Sequence, residues 1–295
     1  MEFNNRPISG KSAVYALIGD PVDHSMSPVI QNAAFRSAGI DAVYVPFQVK
    51  RSALRSSIQG LRALGTRGFN VTAPHKVNVV RYLDKVESSA AEIGSVNTVV
   101  SENGTFCGYN TDGPGALKAL KEVGVSPEGR SILIFGAGGA SRAIAYTLAP
   151  HAGSIWLVNR TIVKAKQLAA RLRKKFDVDV EYAPLLGKLL RGFVERADIL
   201  VNASSMGTDG KADPPIKAGW LRADQCVFDI VYRPFQTKFL ELAGQTGATT
   251  VAGLDMLINQ GACCFELWTG RKAPILEMRH AIAQTMLAME HAQSS

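Results

Sequence analysis

Apolar runs and amphipathic stretches alternate along the first third of the chain. Strand-like runs lie at 13–19, 43–49 and 68–72, and helix-like stretches lie at 27–38 and 53–64. This alternation predicts a βαβαβ unit, in which helices pack on a parallel sheet. Two further runs, at 95–101 and 105–109, are joined through Asn103-Gly104, a pair that suits a tight hairpin turn. We expect this hairpin to close the edge of the first sheet.

The alternation resumes after a predicted helix at 113–122. Strand-like runs lie at 131–136, 154–160, 178–183, 198–203, 225–231 and 249–252, with helical stretches at 140–148, 163–176 and 185–191. This pattern predicts a second doubly wound α/β unit. The tail is predicted to form two helices, at 255–268 and 274–290, with apolar positions Ile275, Met278, Ile282, Met286 and Met289. Because such a stripe must be buried, we expect the tail to return to the first domain.

These patterns divide the chain into a first domain at 1–112, a second at 113–252 and terminal helices at 253–295. A length of 295 residues suits two domains with separate cores, and 46% apolar with 20% charged residues is a globular composition. No uninterrupted apolar run reaches the roughly 18 residues that a membrane span needs, and the first strand lacks the features of a secretory signal. We expect a soluble, cytoplasmic protein.

The formal net charge of +8 is compatible with nucleic acid, an anionic membrane or anionic small molecules as partners. Its densest part is a basic cluster of Lys164, Lys166, Arg171, Arg173, Lys174 and Lys175. Apolar residues alternate with the basic cluster at helical spacing, and no aromatic residues interleave to stack on bases. The pattern favours a solvated helix face over a nucleic-acid site.

The four cysteines show no C-x-x-C spacing; they are Cys107, Cys226, Cys263 and Cys264. We expect reduced, buried thiols. His24 and His75 have no carboxylate or cysteine at ligand spacing, so we interpret them as loop residues. The sequence therefore predicts no metal site.

A glycine-rich segment follows the apolar run at 131–135 and opens the next helical stretch. It consists of Gly136, Ala137, Gly138, Gly139 and Ala140. Strand, glycine loop and helix are the context of a dinucleotide fingerprint, because glycine lets a pyrophosphate approach the backbone and the helix N-terminus favours an anion. An ordinary glycine-rich turn is the alternative. A second strand that ends about 20 residues later favours binding.

The end of that second strand indicates which dinucleotide binds. NAD-binding folds place a carboxylate there for the ribose 2′-hydroxyl, whereas this chain has Asn159, Arg160 and Thr161. The planar guanidinium of Arg160 can hold a 2′-phosphate, and Thr161 can donate a hydroxyl. The sequence therefore predicts NADP as the cofactor, with an ordinary surface role for Arg160 as the alternative.

Polar residues stand where the strands of the first unit end. They are Ser25, Ser27, Thr72, Lys76, Asn97, Asn110, Thr111 and Asp112. Ligands bind outside the carboxyl ends of strands in open α/β sheets, so these side chains can converge on one ligand. Each also has a local interpretation, as a helix cap, a turn residue, a strand end or a solvated lysine.

Short motifs across nearly the whole chain carry a family resemblance. They lie at 19–28, 70–76, 94–98, 108–113, 136–140, 159–161, 202–204, 229–232 and 253–257, followed by Gln260. In this series the chain resembles the shikimate dehydrogenases, NADP-dependent oxidoreductases of chorismate and aromatic amino-acid biosynthesis. Two departures are Ser95, where alanine is usual, and Lys164, where a second arginine often stands. Lys164 affects how strongly NADP is preferred over NAD, and the expected preference remains for NADP.

The resemblance implies a role for each candidate residue. Ser25 and Ser27 hold the substrate carboxylate, and Lys76 is the catalytic proton carrier. Ring hydroxyls or the carboxylate are held by Thr72, Asn97, Asp112, Tyr232 and Gln260. Reducing a ring ketone requires a positioned acid, and Asp112 can orient protonated Lys76 by a charge-assisted hydrogen bond. The nicotinamide is expected near Ile230 and Gly253.

The implied reaction is the reversible NADPH-dependent reduction of 3-dehydroshikimate to shikimate. Quinate or aminoshikimate dehydrogenase is the alternative within the enzyme class, and a non-catalytic NADP-binding sensor is the alternative outside it. Lys76 and Asp112 argue against the sensor, which has no need of a proton carrier. We expect small molecules as partners, and neither nucleic acid nor membrane, with monomer and homodimer both open.

Overall fold

The structure of the protein is a computed structural model that describes residues 7–208 and 211–293. The chain separates into two compact units, each with a six-stranded sheet. The first unit contains Met1–Thr111 and Ile258–Ser295, and the second contains Asp112–Leu257.

Two divisions along the chain separate the units. The first falls after Thr111, where the sequence predicts a boundary after residue 112, and the second falls after Leu257 instead of residue 252. The second lies later because Met256 is buried in the core of the second unit. Residues 1–6, 209–210 and 294–295 of the predicted segments lie outside the described residues.

The first unit begins with alternating strands and helices, as the pattern predicts. Its elements before the second unit are β1 (Ala13–Gly19), α1 (Ser27–Ser37), β2 (Ala42–Gln48), α2 (Leu54–Ala63), β3 (Gly68–Val71), β4 (Lys85–Val86), α3 (Ser88–Ile93), β5 (Thr98–Glu102) and β6 (Thr105–Tyr109). The sheet order is β2-β1-β3-β5-β6-β4. β1 is parallel to β2 and β3, whereas β5 is antiparallel to β3 and β6. The sheet is therefore mixed, although the three strands of the predicted βαβαβ unit are parallel to one another, as expected.

The predicted hairpin is present but does not close the sheet. Asn103 and Gly104 form its turn with φ angles of 52° and 81°, the left-handed backbone that Asn-Gly pairs favour. The edge is instead β4, which pairs in parallel with β6. With 2 residues, β4 is too short to produce a period in the hydrophobic pattern.

The second unit is a parallel sheet with helices on both faces. Its elements are α4 (Asp112–Glu122), β7 (Ser131–Phe135), α5 (Gly139–Leu148), β8 (Ser154–Asn159), α6 (Ile162–Lys175), β9 (Asp179–Pro184), α7 (Lys188–Arg196), β10 (Ile199–Asn202), β11 (Cys226–Asp229), α8 (Lys238–Gln245) and β12 (Thr249–Val251). The order β12-β11-β10-β7-β8-β9 is that of a dinucleotide-binding doubly wound sheet. Apolar side chains of α4, α5 and α6 pack on one face, and those of α7 and α8 pack on the other.

Two helices of the second unit differ from the prediction. The sequence predicts α7 at 185–191, but Phe193 and Val194 beyond that end belong to its buried face, so the helix continues to Arg196. α8 was not predicted, although Thr237 is its N-cap and accepts a hydrogen bond from a first-turn amide. Both helices are short, with 9 and 8 residues, so each provides few turns from which a helical period can be recognised.

The chain continues into two terminal helices, α9 (Gly253–Thr269) and α10 (Ile275–Gln293). They return to the first unit, as expected. α10 packs against α1 and buries Met278 and Ile282 of its apolar stripe. In α9, Trp268 Nε1 donates a hydrogen bond to the Val99 carbonyl oxygen at 3.0 Å, and its ring centroid lies 4.9 Å from that of Tyr15.

Two features of the helices bear on the expected partners. The basic cluster lies on α6, whose opposite residues Ala165, Leu168, Ala169 and Leu172 are buried. This agrees with a solvated face on an amphipathic helix.

No helix in the described part of the chain is long and apolar enough to cross a membrane.

All four cysteines are free thiols. Cys226 and Cys264 are buried, whereas Cys107 and Cys263 are half-buried, so the expectation of burial is wrong for the latter two. Burial raises the pKa of the Cys226 thiol to about 12, which keeps it protonated.

Candidate active site

The glycine-rich segment forms the turn between β7 and α5. Gly136 has a φ angle of 113°, a backbone conformation that other residues rarely adopt. A Cβ atom at this position would lie 2.6 Å from Ser141 Oγ and 2.9 Å from the Ala203 carbonyl oxygen. Backbone conformation and close packing therefore both require glycine at 136.

The other half of the turn is open. A Cβ atom on Gly138, the exposed N-cap of α5, would meet nothing within 4 Å. The helix then starts with Gly139 and Ala140, whose N–H groups have no partner within the helix. Open space in front of unpaired amides suits an anion such as a pyrophosphate. Ala137, in contrast, is buried in the core.

The glycine turn lies where the strand order of the sheet reverses. β7 is flanked by β8 on one side and β10 on the other. Ser141 Oγ donates a hydrogen bond to the Ala203 carbonyl oxygen at 2.8 Å, which ties the first turn of α5 to the loop after β10. Ligands of open α/β sheets bind in the crevice at this switch point.

The end of β8 carries the residues expected to select NADP. Asn159 Nδ2 donates a hydrogen bond to the Thr161 carbonyl oxygen at 2.8 Å. These two residues flank Arg160 in the sequence, and Arg160 is exposed. Thr161 is the N-cap of α6, and its side chain forms no cap hydrogen bond. The first turn of α6 has no acidic residue and contains the exposed Lys164. The local charge is positive, as a bound 2′-phosphate requires.

A buried carboxylate organises the loops after β10 and β11. Asp229 is 0% exposed and accepts hydrogen bonds from Asn202 Nδ2 at 2.9 Å, the Val231 amide at 3.0 Å and Thr237 Oγ1 at 2.7 Å. Burial raises the pKa of Asp229 to about 6, against the opposing effect of these hydrogen bonds. No role was predicted for Asp229, because its donors come from separate segments of the chain.

Ile230 and Gly253, the residues expected beside a nicotinamide, are neighbours. A Cβ atom on Gly253 would lie 2.5 Å from the Ile230 carbonyl oxygen and 2.6 Å from the Val231 carbonyl oxygen. Glycine at 253 thus lets the first turn of α9 approach the loop after β11. Tyr232 continues this loop and is half-buried.

In the first unit, Asn97 and Gln260 form a buried polar pair. Asn97 Nδ2 donates hydrogen bonds to Gln260 Oε1 at 3.2 Å and to Thr111 Oγ1 at 2.9 Å, and Asn97 Oδ1 accepts one from the Thr111 amide at 2.8 Å. Asn97 is 2% exposed and Gln260 is 8% exposed. The fold therefore brings together two predicted substrate contacts that lie 163 residues apart in the chain.

Further hydrogen bonds surround this pair. Cys264 Sγ lies 3.0 Å from Thr98 Oγ1, 3.2 Å from Thr111 Oγ1 and 3.7 Å from Gln260 Oε1. Asn70 Nδ2 donates to Cys264 Sγ at 3.1 Å. Burial raises the pKa of the Cys264 thiol to about 11, so the thiol remains a donor. Asn70, Thr98 and Cys264 were not predicted as site residues, because their contacts join distant parts of the chain.

The serines expected to hold a carboxylate lie at the start of α1. Ser25 Oγ accepts a hydrogen bond from the Ser27 amide at 3.2 Å. Ser27 is the first residue of α1 and is buried, whereas Ser25 is half-buried. The Ser25 contact agrees with the local interpretation as a turn residue. A hydroxyl oxygen that accepts one hydrogen bond can still donate another to a ligand.

Thr72 and Lys76 share the turn that follows β3, and both are half-buried. The Thr72 amide donates a hydrogen bond to a carbonyl oxygen of β1 at 2.9 Å, and the His75 amide donates to the Thr72 carbonyl oxygen at 2.9 Å. The Lys76 carbonyl oxygen accepts a hydrogen bond from the Val96 amide at 2.8 Å, directly before Asn97. These bonds connect the turn to β1 and to the Asn97 pair.

His75 anchors this turn. Its Nε2 lies 2.6 Å from the Val49 carbonyl oxygen, and because a carbonyl oxygen only accepts, Nε2 donates. His24 is exposed. The described residues contain no group of three or more His, Cys, Asp or Glu side chains that could hold a metal ion.

Asp112 and Tyr232 belong to the second unit. Asp112 is buried and begins α4, directly after Thr111 of the Asn97 cluster. Tyr232 lies in the loop after β11 that Asp229 organises. Their contacts with a substrate stay predictions.

Three family models match the chain in succession. The model for the shikimate dehydrogenase substrate binding domain matches residues 17–99, that for shikimate / quinate 5-dehydrogenase matches 118–209, and that for the shikimate 5′-dehydrogenase C-terminal domain matches 253–283. A shikimate dehydrogenase (NADP(+)) from Moorella thermoacetica is 44% identical over 283 residues, which are 95% of this chain and 95% of that protein. The chain belongs to the shikimate dehydrogenase family.

Solved structures show the same fold as this shikimate dehydrogenase family member. A shikimate dehydrogenase in complex with NADP+ is 42% identical, with a TM-score of 0.87 over 95% of this chain and 97% of that chain. The 5-ketofructose reductase of Gluconobacter sp. strain CHM43 is 38% identical, with a TM-score of 0.83 over 94% of this chain and 100% of its own. The expected family and the expected two-domain α/β fold are confirmed.

Proposed function

We propose that the protein catalyses the reversible reduction of 3-dehydroshikimate to shikimate with NADPH. The observation that carries this proposal is the match, over 95% of both chains, to a protein named shikimate dehydrogenase (NADP(+)). Two features of the structure support it: a glycine turn suited to a dinucleotide in the second unit, and a buried polar pair suited to hydroxyl groups in the first.

The substrate-binding residues are those of the first unit together with Asp112 and Tyr232. Ser25 and Ser27 donate hydroxyl hydrogens to the substrate carboxylate. Thr72, Asn97 and Gln260 bind ring hydroxyls or the carboxylate, since hydroxyl and amide groups can donate hydrogen bonds to both. Several anchors on one small ring fix its orientation, and orientation supplies a large part of the acceleration.

The second unit fits NADP. The backbone at Gly136 and the open space at Gly138 suit the pyrophosphate, and Arg160 with Thr161 suits the 2′-phosphate. Lys164 adds a second positive charge near the start of α6. When bound, NADPH supplies the hydride that reduces the carbonyl carbon.

Lys76 transfers the proton that completes the reduction. Its ammonium donates to the carbonyl oxygen of the substrate as that oxygen becomes a hydroxyl, and in the oxidation direction Lys76 Nζ accepts the hydroxyl proton. Asp112 orients Lys76 through a charge-assisted hydrogen bond. A proton carrier of this kind distinguishes the enzyme from a sensor that only binds NADP.

The test is a spectrophotometric assay of NADPH or NADH formation with the purified protein. Shikimate and quinate are each supplied with NADP and with NAD. We expect the highest kcat/KM for shikimate with NADP. A protein that binds NADP but oxidises neither acid would be a sensor, and higher kcat/KM for quinate would make it a quinate dehydrogenase.

Two observations favour including other substrates in the same assay. One matching family model is described as shikimate / quinate 5-dehydrogenase, and one similar structure is a 5-ketofructose reductase. Aminoshikimate is therefore supplied with NADP, and 5-ketofructose, the substrate of a reductase, is supplied with NADPH while the loss of NADPH is followed. The cytoplasmic location and the oligomeric state stay predictions.

A further inference from the structure

The position of α6 residues in the helix explains only some of the positive charges in the basic cluster. The helix contains six Lys and Arg residues and no Asp or Glu in the sequence IVKAKQLAARLRKK. Arg173, Lys174 and Lys175 lie in the last turn, where positive charge is favoured by the helix dipole. Arg173 also donates a hydrogen bond to the Val180 carbonyl oxygen. These reasons do not extend to Arg171, which precedes the last turn.

Arg171 lines a cavity shared by α5 and α6. The cavity has a volume of about 360 Å³ and is lined by Arg142, Gln167, Leu168, Ala170 and Arg171. This volume lies within the range of roughly 300–1,000 Å³ that small-molecule sites occupy. Its polar groups are two guanidinium groups and one amide, so its lining contains no acidic residue.

Among the described residues, no acidic side chain pairs with either arginine. Arg142 is half-buried and Arg171 is exposed. Neither guanidinium group forms a salt bridge or a hydrogen bond with another described residue. Burial lowers the pKa of Arg142, and the positive charge of Arg171 lowers it further. A partly desolvated cation beside a like charge is unfavourable unless an anion neutralises both.

We propose that Arg142 and Arg171 form a binding site for a phosphate group, in addition to the phosphate contact assigned to Arg160. Guanidinium groups bind phosphate oxygens through paired N–H donors, and two of them on adjacent helices can hold one phosphate from two sides. Gln167 supplies a neutral donor in the same cavity. The bound phosphate group is either part of a separate small molecule or the 2′-phosphate of NADP itself. Two binding experiments distinguish these possibilities.

The first experiment uses pyrophosphate as the probe and does not depend on catalytic activity. Pyrophosphate is titrated calorimetrically, at constant ionic strength, into protein that is saturated with NADP. Lys174→Gln is the matched control, because it removes the same charge from the same helix outside the cavity. For a separate ligand, we expect the dissociation constant to rise at least about ten-fold in Arg142→Gln and in Arg171→Gln, and to stay unchanged in the control.

The second experiment tests the cofactor as the source of the phosphate. The dissociation constants of NADP and NAD are measured for the same three variants. If the 2′-phosphate enters the cavity, NADP binding weakens at least about ten-fold in both arginine variants while NAD binding does not change. Circular dichroism confirms that each variant is folded.

Either selective loss supports the site. The proposal is overturned if neither pyrophosphate nor NADP binding changes in folded Arg142→Gln and Arg171→Gln proteins. It is also overturned if Lys174→Gln causes an equal loss, since the effect would then be one of total charge. Absence of shikimate oxidation would overturn the proposed function and leave the pyrophosphate result standing.

Discussion

The two candidate binding regions of the molecule are built from different groups. The cofactor edge, which comprises residues 136–140 and 159–161, depends largely on backbone amides and on space that glycine leaves open. The substrate edge, which comprises Ser25, Thr72, Lys76, Asn97 and Gln260, depends on side chains that are at least half-buried. Within it, the Asn97–Gln260 pair is bonded to Thr111, so a change at one member alters the others.

This difference shows how each region should respond to substitution. A site made of backbone groups still folds when a new side chain is added at a position where a Cβ atom fits. Its affinity for the ligand falls, however, because the side chain fills the space that the ligand needs. A side-chain site loses a chemical group or leaves a buried partner unsatisfied. Changes at the substrate edge should therefore affect turnover or stability. Changes at the cofactor edge should affect cofactor affinity where a Cβ atom fits, and stability where it does not.

The largest effect is expected for Lys76→Ala, at the substrate edge. Loss of the proton carrier should lower kcat by about 10²–10⁴-fold while KM for shikimate changes much less. Steady-state kinetics of shikimate oxidation measure both parameters. Lys85→Ala, which removes an exposed lysine of β4, is the control and should retain normal kcat. A Lys76→Ala protein with normal kcat would show that another group transfers the proton.

Asp229 adds an ionisable group to the loops beside the cofactor edge, and its pKa makes stability depend on pH. Its folded-state pKa of about 6 lies above the ordinary value of 3.8, so the folded state binds the proton more tightly than the unfolded chain. The free energy of unfolding should therefore fall as pH rises from about 4 through about 6, by about 3 kcal/mol for this group.

Urea unfolding across this pH range measures the effect. Asp229→Asn should flatten the pH dependence, because the titrating group is removed. Asp177→Asn is the control, since Asp177 is an exposed carboxylate of the same unit. An Asp229→Asn protein with the pH dependence of the wild type would show that Asp229 does not have a raised pKa.

Arg160→Ala tests whether a side chain contributes to the cofactor edge. NADP binding should weaken about ten- to a hundred-fold because a charge-assisted contact with the 2′-phosphate is lost, while NAD binding should stay nearly the same. Fluorescence or calorimetric titration of both cofactors measures this. Lys166→Ala, an exposed lysine of α6, controls for total charge. Equal weakening of NADP and NAD would contradict the assignment of Arg160.

The two glycines of the cofactor edge should respond differently to alanine. Gly136→Ala forces a side chain into a φ of 113° and against Ser141, so stability should fall by about 1–3 kcal/mol. Gly138→Ala meets no neighbour, so stability should hardly change while NADP affinity falls. Urea unfolding and NADP titration separate the two effects. Equal stability of the two variants would contradict the strained turn at Gly136.

The cofactor edge could be predicted from the sequence because its signals are local. The run 131–135, the glycines after it and the Asn159-Arg160-Thr161 segment are each contiguous, and the structure places them at the expected strand ends. The exposed Arg160 fits the prediction of a phosphate contact without testing it.

The hydrogen-bonded groups of both units could not be predicted in the same way. Cys264 contacts Thr98 across 166 residues of sequence, and the donors to Asp229 include Asn202, 27 residues away. No local period records such contacts. The strand β4 and the helix α8 were missed for a related reason, since short elements are stabilised mainly by what they pack against.

The central claim is that the substrate edge accepts shikimate and the cofactor edge accepts NADP. The most direct measurement is kcat/KM of the wild-type protein for shikimate and for quinate, each with saturating NADP. Quinate carries an extra hydroxyl on the carbon that bears the carboxylate, next to the position assigned to Ser25 and Ser27. We expect kcat/KM for shikimate to be higher by about 10²-fold, since a pocket rejects an added hydroxyl only moderately. A kcat/KM for quinate equal to or above that for shikimate would contradict the assignment.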